Sequence, residues 1–155
     1  MSVLLQFSLI SHIFLGLLGI ILFYAVLMVL FKPIDFKRIK FLRRVSLLGL
    51  ISFLSSWILG GYYYVVYYGN IVKPLIKKSA YPWAHSIFME AKEHIFLFLP
   101  FAALVAVLIF YILGEELEQK PAIKKTVIIL SSLIVVLGAI MALMGIIISG
   151  AVKLR

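Results

Sequence analysis

Residues 95–113 read IFLFLPFAALVAVLIFYIL, a run with no charged side chain. At about 1.5 Å rise per residue this run spans about 28 Å as a helix, close to the ~30 Å thickness of a bilayer's hydrocarbon layer. In lipid it has to be helical, because a lone strand would leave its backbone N–H and C=O groups unpaired. Three further stretches meet the same requirement, about 3–31, 45–68 and 126–152. The whole chain agrees: 65% of its residues are hydrophobic, 14% are charged, and the mean hydropathy is +1.18, far from the values of soluble domains. The expected fold is an all-α integral membrane protein, a four-transmembrane-helix up-down-up-down bundle forming a single domain over residues 1–155. Its third helix is expected from residue 82, where Pro82 suits a first turn, with the membrane part beginning near 95 and a bend at Pro100.

The chain has no cysteine, so disulfides, thiolate metal sites and thiol catalysis are excluded. No basic n-region precedes the first apolar run, which is too long for a signal-peptide core, so the first helix is expected to be retained. Lys32, Lys37, Arg38, Lys40, Arg43, Arg44, Lys120, Lys124 and Lys125 flank one side of the expected bundle. Lys73, Lys77, Lys78, Lys92, Lys153 and Arg155 flank the other. The excess on the first side places the 32–44 segment in the cytoplasm and both termini on the extracytoplasmic side. The net charge of +9 is divided among juxtamembrane segments, where anionic lipid headgroups are the expected partner and nucleic acid is not. The lipid bilayer, and most simply the cell (inner or plasma) membrane, is the expected environment.

Depth within the bilayer follows by counting about 19 residues, or about 28 Å, outward from each cytoplasmic boundary. The counts end at His12, Tyr64, His94 and Gly145. The first and third spans are diagonal in such a bundle, so His12 and His94 are expected to face each other near the outer edge of the hydrocarbon. Gly60 and Gly61 fall near the same level and would let a flat ligand approach backbone. On a regular helix Glu90 and His94 share a face, Glu93 is further round, and His85 lies opposite His94. Neither the Glu-x-x-His spacing of di-iron bundles nor His-Glu-x-x-His is present.

Three readings follow. In the first, His12 and His94 ligate one haem b between helices one and three, with Gly60, Gly61, Tyr64 and Gly145 around it and Lys73, Lys77, Lys78 or Lys92 near the propionates. This arrangement resembles the general layout of b-type membrane cytochromes, and would exchange electrons with quinone or an extracytoplasmic redox partner. In the second, a divalent metal or a proton is held by His94 and Glu90 together with His12, His85 or Glu93. In the third there is no cofactor, and the chain is a structural, assembly or partner-binding subunit of a homo- or hetero-oligomer, with its polar groups serving as interhelical hydrogen bonds. No nucleophile elbow, phosphate loop or hydrolytic triad is present, so catalysis is expected only in a redox subunit or a metal-dependent membrane protein.

Overall fold

A computed structural model describes residues 1–153; Arg155, which entered the charge comparison, lies outside the described residues. Four helical segments are long and apolar enough to cross a membrane, Val3–Leu30, Phe36–Lys77, Ala84–Ile112 and Pro121–Val152. The first is α1 (Val3–Leu30), capped by Ser2, whose hydroxyl accepts from the Leu5 N–H. The second comprises α2 (Phe36–Tyr63), a π-helical stretch Tyr64–Val72 and the short α3 (Lys73–Lys77). A second π-helical stretch, Ala84–Met89, leads into α4 (Glu90–Ile112), and α5 (Pro121–Lys153) completes the chain. Among the described residues there is no strand.

The second segment starts nine residues before the expected Val45. Asp35 has extended backbone and its carboxylate accepts from the Arg38 N–H at 2.8 Å, which is the geometry of an N-cap. Lys37, Arg38, Lys40, Arg43 and Arg44 therefore lie on the first turns of α2 and not in a loop. Capping fixed this boundary, whereas hydropathy reports only where lipid begins. The expected start at Pro82 is nearly met, but the first turns there follow an i→i+5 pattern instead of a regular α-helix. Pro100 is buried within an α4 that stays continuous.

Each helix contacts two neighbours, giving the circular order α1, α2, α4, α5. The α1/α2 seam is built by exchange. Phe23 of α1 lies on Gly49 of α2, and Phe53 of α2 lies on Gly19 of α1. A Cβ at Gly19 would sit 2.7 Å from the Phe53 ring, and one at Gly49 would sit 2.8 Å from the Phe23 ring. The two rings stack with centroids 5.8 Å apart. Lipid tails are as apolar as these side chains, so close packing against small residues carries the association. The Ser8 hydroxyl donates to the Leu59 carbonyl at 2.8 Å and ties the same two helices nearer the termini. Gly138 of α5 receives Ile20 of α1 in the same way.

The opposite end is tied by charge. Arg43 donates to the carbonyls of Phe110 and Tyr111, at 2.9 and 3.3 Å, satisfying groups that the end of α4 leaves open, and it pairs with Glu115. Glu118 accepts from the Ile34 N–H and from Lys124, both at 2.9 Å, joining the α1/α2 connection to the α4/α5 connection. Lys124 also donates to the Lys32 carbonyl.

Two outcomes are expected from this packing. Gly19→Leu forces the Phe53 ring off its seat and lowers unfolding stability in detergent by about 1–3 kcal/mol, the usual range for overpacking. The hydrogen bonds from Lys124 and Ile34 hold the Glu118 carboxyl below the ordinary carboxylate range. The tether is therefore complete above that range and is lost as pH falls through the depressed value. Hydrogen exchange at the Ile34 N–H should accelerate over that acid window, against the intrinsic trend, and Glu118→Gln should remove the dependence.

Candidate functional site

His12 is the polar centre of the α1/α2 seam. Its Nδ1 lies 2.8 Å from the Ser56 carbonyl and 3.0 Å from the Ser56 hydroxyl, and that hydroxyl donates to the His12 carbonyl at 2.9 Å. The ring fits because residue 60 is glycine: a Cβ there would lie 2.4 Å from Nδ1 and 2.7 Å from Cε1. Gly60 and Ser56 thus hold one edge of the imidazole. His12 helps to line a cavity of about 450 Å³ enclosed by α1, α4 and α5, with Phe53 and Ser56 of α2 on its wall. The Phe96 ring meets His12 edge to face, with centroids 6.0 Å apart.

The cavity has a polar end and an apolar end. From Leu9 to Ile20 its α1 wall covers twelve residues, a rise of about 16 Å. His12, Ser56, Lys92 and Ser149 lie toward the chain termini. Leu17, Ile20, Phe53, Leu99, Pro100 and Met141 line the deeper part. Ile13, Leu17 and Ile146 line it while remaining exposed, so the opening is sideways, between α1 and α5, onto the apolar outer surface of the bundle. A volume of this size falls within the roughly 300–1,000 Å³ of ordinary small-ligand sites.

Lys92 is the charged group of this wall. Its Nζ reaches across to α5, 3.3 Å from where a Cβ of Gly145 would stand. The ion pairs among the described residues are Asp35–Arg38, Arg43–Glu115, Glu116–Lys120 and Glu118–Lys124, and none includes Lys92. An ammonium lodged in an apolar wall without an acid partner is a costly arrangement. The sequence reading left Lys92 at the membrane surface. The available signal was helical phase: Lys92, Phe96, Leu99, Ala103, Ala106 and Phe110 recur three or four apart, one continuous stripe that α4 turns inward.

His94 departs from its expected position. It is two residues past Lys92, about 200° round the helix, and it is exposed. Its Nδ1 donates to its own helix's Glu90 carbonyl at 2.7 Å. Among the described residues no contact joins His94 to His12, and the polar partners of the two rings are different. Glu90 is exposed as well. Gly145 and Gly60 both border the site, while a Cβ on Gly61 would meet open space.

His85 and Glu93 belong to a separate cluster where the two π-helical stretches meet. His85 is 1% exposed, and its Nδ1 is 3.1 Å from the Tyr68 hydroxyl. Tyr68 stacks on Tyr64 with ring centroids 5.3 Å apart. His85 Nε2 and Glu93 Oε1 are buried without a hydrogen-bond partner. Among the described residues, no three or more His, Asp or Glu side chains gather as a metal-ligating group.

No protein-family model, curated protein or solved structure matches this chain.

The donor pattern at His12 is open to direct measurement. The Ser56 carbonyl can only accept, so Nδ1 carries the proton. Imidazole 15N spectra should show a protonated Nδ1 and an unprotonated Nε2 for His12 at neutral pH. Gly60→Ala should displace the ring and abolish that tautomer preference. An Nε2–H tautomer in the unsubstituted protein would contradict the described network.

Proposed function

We propose that this protein is a membrane-embedded lipid-binding protein. It admits one chain of an anionic lipid sideways into the cavity between α1, α4 and α5 and holds the head group at Lys92 and His12. With both termini extracytoplasmic, as the Lys/Arg distribution favours, the site serves the outer leaflet. One observation carries the reading: the Lys92 ammonium, which has no acid partner among the described residues, stands at the polar end of a cavity that runs about 16 Å along α1 and is apolar at its other end. A lipid phosphate or carboxylate supplies the missing countercharge, and the apolar end takes the chain. The exposed Ile13, Leu17 and Ile146 at the mouth suit entry from the bilayer.

The full chain in detergent micelles, titrated with a fluorescent anionic lipid, tests this. Lys92→Met should weaken binding by roughly 10- to 100-fold, the size of a charge-assisted hydrogen bond. Ala142→Phe, which fills the cavity, should abolish saturable binding, and His94→Ala should leave it unchanged. Equal affinity for anionic and zwitterionic lipid, together with an unaffected Lys92→Met, would refute the proposal.

A second reading keeps one haem b in the same cavity. Metal-bound imidazoles are characteristically held by a hydrogen bond from the other ring nitrogen, as the Ser56 carbonyl holds Nδ1 of His12. His12 would then be the axial ligand contributed by this chain, with no part for His94. A Soret band lost in His12→Ala and kept in His94→Ala distinguishes this reading from the lipid one.

A further inference from the structure

The network behind His12 also restricts what the bound head group looks like. The following step rests on the lipid-binding reading. The Ser56 hydroxyl directs its proton to the His12 carbonyl at 2.9 Å, so its oxygen, like the Ser56 carbonyl, can only accept from the ring. Both partners of Nδ1 are then acceptors, and Nδ1 must donate. In the neutral ring this leaves Nε2 an acceptor with no proton to give. His12 lines the cavity, its Nδ1 edge is held by Ser56, and Nε2 has no hydrogen-bond partner among the described residues. Lys92, across the same space, has three N–H donors and accepts nothing.

The polar end therefore presents two unlike demands, a cation that wants an anionic oxygen and a nitrogen lone pair that wants an O–H or N–H. A head group that is only an anion meets the first and leaves the second unmet, which costs affinity. A quaternary ammonium meets neither. We propose that the cavity selects an anionic lipid whose head group also carries a free hydroxyl, the anionic oxygen resting on Lys92 and the hydroxyl donating to Nε2 of His12. Gly145 makes room for this pairing, because a side chain there would crowd the Lys92 ammonium.

Two lipids with the same acyl chains and the same single charge separate the possibilities. Phosphatidylglycerol carries hydroxyls, and phosphatidylmethanol has none. Each is competed against the fluorescent anionic lipid on the purified full chain. Phosphatidylglycerol should compete roughly three- to tenfold better, the worth of one net hydrogen bond. His12→Leu should bring the ratio to one. Lys92→Met should weaken both lipids by a similar factor and preserve the ratio. If His12→Leu fails to accumulate, the His12 Nε2 resonance of the unsubstituted protein decides: it should shift with phosphatidylglycerol and stay in place with phosphatidylmethanol. Equal competition by the two lipids, with both weakened by Lys92→Met, overturns the hydroxyl preference and leaves the lipid reading standing. If neither lipid displaces the probe and Lys92→Met changes nothing, both fail together.

Discussion

The exchange of aromatic rings and glycines between α1 and α2 is the constraint on which the rest of the molecule depends. In lipid there is little to gain from bringing two apolar helices together, so contact has to come from shape. Phe23 on Gly49 and Phe53 on Gly19 supply it. The same close approach brings Ser56 and Gly60 against His12, so the polar side chain is fixed by packing that the glycines make available. With the α1/α2 pair rigid, α4 and α5 complete the ring. Near the termini they leave a gap bordered by glycine and alanine, and the cavity is that gap.

Four helices long and apolar enough to cross a membrane were legible in the sequence, because uninterrupted apolar length has one physical meaning in a bilayer. Across the bundle, His12 meets Gly60, and Lys92 reaches Gly145. The direction of each side chain around its helix was much less legible. His94 attracted attention as a residue type, whereas Lys92 lies on the inward stripe. Hydropathy alone gives no phase reference on a helix apolar almost all round. Only the small and aromatic residues of that stripe, Phe96, Ala103, Ala106 and Phe110, mark the inside.

The π-helical stretches explain a second difference. Angular placement at 100° per residue assumes a regular helix, and Ala84–Met89 is not one. His85 consequently turns into a buried cluster with Tyr68, itself on the π-helical Tyr64–Val72. The run of tyrosines is divided: Tyr68 is enclosed while Tyr62 stays exposed. Arg43 shows the converse, a residue counted for its charge whose principal role is to occupy the open carbonyls of a neighbouring helix.

The sideways mouth between α1 and α5 has a consequence for how the cavity would fill. Under the proposed lipid-binding function, a solute arriving there would already have partitioned into the membrane, and its abundance relative to neighbouring lipids, not its level in the surrounding water, would set occupancy. A shift in leaflet composition would then register at Lys92 directly, with the bilayer itself acting as the reservoir.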